Sequence, residues 1–312
     1  MASAKRKYYQ QVMEEHRQRL LRLSMRRGVF PLSRMYHEAA IEQEAKLRAQ
    51  LGSGANTFTT HQMRFVLAQI TDGQATLSAK MAAELGSVTR EAQKEAVSGL
   101  LKDVGRLEKK FTGATIELPL EEASRFYGII DKRKTSLLRM HQSSMAKHGA
   151  QTVKAVEREL AMSLLTGENQ DQAIGRVLPA IEGEWWQAER IVRTEVAHAY
   201  NASHRDAIED TARDVGGMKM QWEEMVDEDG NPYDDRVAID SLAMHGQVAG
   251  VGEMFFMPPA TPKGEAIPES LQGQEWAFPP NRPNDRAVVS PWKRDWGIPG
   301  WVWRNGKRAT AL

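Results

Sequence analysis

Through the first two thirds of the chain, apolar residues recur three and four positions apart, the spacing of a single buried stripe on a helix. Residues 5–50 read as helix interrupted near Gly28-Val29-Phe30-Pro31, because proline lacks an amide donor and its ring crowds the preceding turn. Gly52-Ser53-Gly54-Ala55-Asn56 reads as a linker. Over residues 59–110, Phe65, Ile70, Leu77, Met81, Leu85 and Val88 keep helical spacing, and Val97, Leu100, Leu101, Val104 and Leu107 continue it. Gly86 and Gly99 weaken this stretch, so one helix and a pair of helices fit equally well. Phe111 to Pro119 is a break with room for a short strand.

A second long helix is expected over residues 121–165, through Leu137, Leu138, Met145, Val153, Val156, Leu160 and Leu164. Thr166-Gly167 ends it, with glycine where a left-handed cap is preferred. Asn169-Gln170-Asp171 supplies N-caps for a short helix through Ile174, Val177 and Leu178, which Pro179 and Gly183 close. Residues 184–214 are again helical. From Lys219 the character changes: residues 219–226 predict a strand, and Asp229-Gly230-Asn231-Pro232 a turn. From Lys219 onward lie most of the prolines and six of the eight tryptophans. The expected fold class is mainly α, a long helical N-terminal region followed by a smaller loop-rich α+β domain. The segments are a basic arm (1–55), a helical region (56–165), a domain (166–292) and a basic tryptophan-rich tail (293–312).

Charge sharpens this picture where the net value of +1 does not. Residues 1–50 hold eleven Lys/Arg against five Asp/Glu, residues 223–235 seven acids and no base, and residues 281–308 seven bases against two acids. The asymmetry suits a chain that meets polyanions at its ends. Lys5, Arg6, Lys7, Arg17, Arg19, Arg22, Arg26 and Arg27 form the N-terminal basic set, for DNA phosphates or an acidic partner. Trp292, Trp296, Trp301 and Trp303 interleave with bases at the other end, either anchoring a partner or stapling the terminus to its own domain. The chain has no cysteine, which excludes disulfides, Fe–S clusters and thiolate zinc sites. No apolar run reaches the about 18 residues of a membrane span, and the basic N-terminus precedes no apolar stretch, so assembly in the cytoplasm is expected.

The chemistry-bearing residues concentrate between Arg193 and Pro291. They run in order as Arg193-Thr194-Glu195, Asn201, Trp222, Asp235-Arg236-Val237, His245-Gly246-Gln247, and Pro279-Pro280-Asn281-Arg282-Pro283-Asn284-Asp285-Arg286. This series resembles the phage head morphogenesis family, the Mu-F-like minor head proteins, over about residues 165–292. Many members carry Cys-x-x-Cys after the Asp-Arg pair and Cys-Arg-Cys after the Pro-Asn segment. Here those positions are Ala238, Ser241, Asp285 and Ala287.

The resemblance implies a non-enzymatic structural protein of a tailed-phage virion, in few copies near the portal. Its implied partners are the portal and major capsid proteins and packaged double-stranded DNA, with no cofactor, metal, membrane or small-molecule substrate. It also implies that Arg193, Glu195 and Asn201 organise the loops carrying Asp235, His245 and Asn284, with Trp222, Arg236, Gly246, Pro280, Pro283 and Arg286 completing the frame. The contrasting reading is a delivered nuclease or toxin-like enzyme built on His198, His204, Glu195 or His245. Glu195-x-x-His198 is half of a di-iron signature without its second copy. The acidic turn from Asp227 fails the calcium-loop register, with Pro232 at position 6 and Ala238 at position 12. No phosphate-binding loop, dinucleotide fingerprint or nucleophile elbow is present.

Overall fold

A computed structural model describes residues 2–51, 56–116, 123–183, 185–224, 226, 231–232, 237–280, 285–304 and 307–311. Among them the chain is mostly helical with small antiparallel sheets, so the mainly α expectation holds. The helices are α1 (Ala2–Arg22), α2 (Phe30–Leu51), α3 (Thr60–Phe111), α4 (Ala123–Lys132), α5 (Lys134–Leu165), α6 (Gln170–Glu182), α7 (Trp185–Thr211) and α8 (Ile239–Met244). The strands are β1 (Met218–Glu223), β2 (Val248–Ala249), β3 (Phe255–Phe256), β4 (Glu275–Trp276), β5 (Val288–Lys293), β6 (Trp301–Arg304) and β7 (Lys307–Thr310).

Two local expectations change, and an alternative left open over 60–111 is decided. Residues Leu23–Val29 form a π-helical stretch instead of a break, continuous with α1 and α2, and Pro31, which lacks an amide N–H, lies just after it. Residues 60–111 form one helix, with Gly86 and Gly99 inside it. The single helix expected over 121–165 is two, parted at Arg133. Asp206 on α7 draws both residues at that joint, accepting from Lys132 Nζ at 3.0 Å and from Arg133 Nε and Nη2 at 2.7 and 3.1 Å. Periodicity along α4 and α5 carries no trace of that pull. The caps follow the chain chemistry: Gly167 has φ +69°, and Asn169 and Gln172 form a reciprocal capping box. Pro179 lies within α6, which runs on to Glu182.

The chain forms two compact units, each assembled from separated stretches. The first comprises residues 1–23, 89–134 and 196–312. Its sheet has the order β2-β1-β5, with Trp222 opposite Val289 and Met220 opposite Pro291 and Ala249. Trp222, Met220, Phe255 and Val289 pack there with Leu100 and Val104 of α3 and Ile208 of α7. Tyr9, Val12 and Met13 of α1 pack with Trp292, Trp296 and Ile298. The 293–312 segment is thus folded structure: Trp292 and Trp296 are buried, and β6 and β7 form a hairpin. Buried tryptophans are among the largest contributors to a core, about 3–5 kcal/mol each on truncation to alanine.

The second unit comprises residues 24–88 and 135–195. Leu32, Tyr36, Leu47, Ile70, Leu77, Met81, Leu137, Met145, Val156, Leu160, Ile174 and Val177 are among its buried apolar residues. The Tyr36 hydroxyl donates to the Ile181 carbonyl at 2.7 Å, tying α2 to α6.

Candidate functional site

The C-terminal loops of the first unit are held by side chains that bond to backbone. Asn201, wholly buried on α7, donates from Nδ2 to the Ala287 carbonyl at 3.2 Å and accepts from the Val289 amide at 3.0 Å. It therefore fixes the start of β5, directly after the Pro-Asn segment. One helical turn later Arg205 donates to the Ala277 and Glu253 carbonyls at 2.6 and 3.2 Å, and to Glu209 at 2.9 Å. Gln221, buried between Met220 and Trp222 in β1, donates to the Gly246 and Pro299 carbonyls and accepts from Tyr9. Gln247 pairs with both backbone groups of Phe256, donating at 2.8 Å and accepting at 2.5 Å.

His245-Gly246 forms the turn between α8 and β2. The His245 Nδ1 accepts from the Glu224 amide at 3.2 Å and lies 3.5 Å from Glu223 Oε2. Burial, with Arg17 and Arg6 nearby, pushes its pKa down to about 4, so the ring is neutral at physiological pH. Glu223 beside it is pushed up to about 7, also chiefly by burial. Gly246 has φ +78°, the left-handed conformation that favours glycine, while a Cβ there would meet the Trp301 ring only in van der Waals contact at 3.4 Å. Trp301 Nε1 donates to the His245 carbonyl at 2.8 Å, while the Arg308 guanidinium lies 4.3 Å from the Trp301 ring centre. Trp303 stacks on Phe256, centroids 5.6 Å apart.

The positions where the resembled family carries cysteines converge. Ser241 on α8 donates to Glu224 Oε2 and to Asp285 Oδ1, the latter at 3.3 Å, and the Ala287 amide donates to the same Asp285 oxygen at 3.0 Å. Ala238 is the N-cap of α8, one turn before Ser241. Ser241 and Ala287 are wholly buried, and Asp285 and Glu224 nearly so. Two alanines, a hydroxyl and one carboxylate cannot supply four zinc ligands. Hydrogen bonds now tie these positions together, and Ser241, sealed from solvent, cannot reach a substrate. Among the described residues no group of three or more His, Asp or Glu is placed to hold a metal ion.

The remaining residues singled out in the sequence divide. Arg193 and Glu195 lie in the second unit, where Arg193 pairs with Glu189. Glu195 accepts from Ser144 at 3.1 Å and lies 3.7 Å from His141. These partners all lie within the second unit, so of the three bracing residues expected on α7, Asn201 fills that role in the C-terminal domain. Trp222 is core, its indole N–H meeting no acceptor among the described residues, so it contributes volume rather than a bond. Pro280 follows a cis peptide bond, and Arg286 is half-buried beside Asp285. Asp235, Arg236, Pro283 and Asn284 lie outside the described residues, as does most of the acidic 227–235 turn.

The three histidines of the enzymatic reading have separate surroundings. The His198 ring lies 5.0 Å from Phe278. His204 donates from Nδ1 to the Ala96 carbonyl at 3.0 Å and is pushed down to about 3 by burial. It packs beside His16, Tyr200 and the Arg19–Asp103 ion pair, away from the His245 turn in its bonding. Burial lifts the Asp103 carboxyl to about 6 against the pull of Arg19.

Two of the basic residues expected to face phosphates turn inward. Arg19 pairs with buried Asp103, and Arg17, 7% exposed, bonds to Glu14 and the Glu224 carbonyl. Arg6, Lys7, Arg22, Arg26 and Arg27 are exposed, and Lys5 is half-buried against the Phe111 ring. Trp292 and Trp296 are core residues and cannot anchor a partner, whereas Trp301 and Trp303 remain half-exposed. Alternating burial is weak in such a short, proline-broken segment, which is why the sequence leaves stapling and partner anchoring both open; for Trp292 and Trp296 the structure selects stapling.

Comparison with known proteins finds no matching family model, no similar curated protein and no similar solved structure. The residues sequence reasoning passed over are Gln221, Tyr9 and Glu224, while Gln247 appears in the series without a role. Gln221 alone carries a signal, a polar side chain flanked by large apolar ones in a strand.

Proposed function

We propose that this chain is a structural minor head protein of a tailed bacteriophage, with a Mu-F-like C-terminal domain that acts in head assembly at or near the portal. One observation carries the reading. Positions 241, 285 and 287, more than forty residues apart at the extremes, meet in one hydrogen-bonded cluster at the very places the resembled family fills with cysteines. A chance likeness of spaced polar residues gives no reason for those positions to meet. Asn201, expected as a brace, bonds on both sides of Val288 in the same region.

In this reading the domain is a docking block. Its partners are the portal and major capsid proteins, and the exposed cations Arg6, Lys7, Arg22, Arg26 and Arg27 face packaged DNA without sequence preference. The reading calls for no small-molecule substrate, and Asn201, Arg205, Gln221 and Gln247 direct their polar groups largely to the domain's own backbone. Quantitative peptide mass spectrometry of purified virions and of the ejected fraction tests the proposal. Recovery of the chain at a few copies per particle supports it, and absence from both fractions refutes it.

A further inference from the structure

On the second unit, α3 and α5 flank a groove of about 500 Å3 that the head-protein reading does not use. Ala75, Ala79 and Ala83 line it from α3, four residues apart and all exposed; Ala146, Ala150 and Val153 line it from α5. At the floor the two helices touch, since a Cβ on Gly149 would lie 2.5 Å from Ser78 Oγ. Walls of methyl groups at helical spacing let a third helix approach closely. From Leu138 to Val153 the α5 wall runs about 22 Å, four turns of such a helix.

Two further observations define what fills it. Gln74, 2% exposed, lines the same wall, and its Nε2 has no acceptor among the described residues. A buried donor without a partner is costly, and an oxygen brought in by an occupant relieves it. The outer edge of α5 is basic: Arg139, Lys147 and Lys154 each follow a groove-lining residue by one position, and all are exposed without an acidic partner among the described residues. On the α3 edge Asp72 and Lys80 offset one another.

We propose that this groove seats an acidic amphipathic helix of another polypeptide, its small apolar face on the alanines and its carboxylates along Arg139, Lys147 and Lys154. A second copy of the chain is disfavoured by the same edge, which would set cations against cations if two grooves met. The inference stands apart from the virion assignment, and either can fail alone.

The test uses the full chain and two fluorescent peptides of about 18 residues, long enough to span the groove as helix. Both carry an alanine–leucine stripe, flanked by glutamates in one and lysines in the other. The glutamate peptide is expected to bind, weakening as salt rises, with the lysine peptide about tenfold or more weaker. Arg139→Glu/Lys147→Glu/Lys154→Glu should reverse the preference. Ala79→Trp, at an exposed position, should abolish binding while leaving the circular dichroism unchanged. Binding of neither peptide, equal binding of both, or indifference to Ala79→Trp overturns the proposal. So does concentration-dependent dimerisation that Ala79→Trp removes, which assigns the groove to a second copy.

Discussion

Replacing Asn201 with alanine removes one side chain that satisfies two buried backbone groups. The Ala287 carbonyl loses the Nδ2 donor at 3.2 Å and the Val289 amide loses the Oδ1 acceptor at 3.0 Å, both at residues without solvent exposure. A buried group left unpaired costs about 1–3 kcal/mol, so the pair costs roughly 2–6 kcal/mol. Alanine regains about 0.6 kcal/mol of helix propensity within α7. A net loss of about 3 kcal/mol from the first unit is expected. Six of the eight tryptophans lie in that unit, so indole fluorescence during urea denaturation reports mainly its unfolding. Asn201→Asp should be at least as damaging near neutral pH, because it keeps the acceptor for Val289 but sets a buried carboxylate against the Ala287 carbonyl. Glu195→Ala is the control, since its partners lie in the second unit. A loss below about 1 kcal/mol for Asn201→Ala, or an equal shift for Glu195→Ala, would refute the bracing role.

Three other outcomes follow from the geometry. His148 is buried in the second unit and burial pushes its pKa down to about 4, while the unfolded ring takes its proton near 6.5. Its contribution is therefore complete above pH 6.5 and lost as pH falls toward 4, at most about 3 kcal/mol, and His148→Leu should flatten the acid limb of a stability–pH curve. Gly246→Ala should destabilise the first unit by about 1–2 kcal/mol through its positive φ, measured by the same urea titration. Cysteines placed together at Ala238, Ser241, Asp285 and Ala287 should bind one zinc per chain, read by native mass spectrometry and by a raised melting temperature. A folded variant that takes up no zinc would count against the family resemblance at these positions.

Helices were legible wherever one face is continuously apolar, as in α3, and so were caps such as Asn169 and Gly167, whose chemistry is local. The joint at Arg133 was not, because its cause is Asp206, seventy-three residues away. Arg17 and Arg19 illustrate the same limit. A basic run predicts a solvated face, but whether a given arginine turns inward depends on the acceptors folded against it, here the Asp103 carboxylate and the Glu224 backbone carbonyl. Within the candidate site, spacing along α7 singled out Asn201, whose bonds go to Ala287 and Val289, and grouped it with Arg193 and Glu195, which fold into the other unit. Gln247 stands in the series without a role, because its two bonds to Phe256 depend on a loop path that composition does not encode.

The first unit is sewn from three stretches of chain, and this sets an order of events during synthesis. The Tyr9 hydroxyl meets Ser290 across 281 residues at 2.9 Å and the Pro291 carbonyl at 3.1 Å. At about 5–20 residues per second, Tyr9 waits roughly 15–55 s after leaving the ribosome before those partners exist. Until then the apolar side of α1, with Val12 and Met13, can meet only Leu107 and Phe111 of its final cluster, and it is the natural client for a chaperone or a foreign surface. Closure of this unit is thus tied to completion of β5, and a chain cut short before residue 288 would emerge with its opening helix unsheltered.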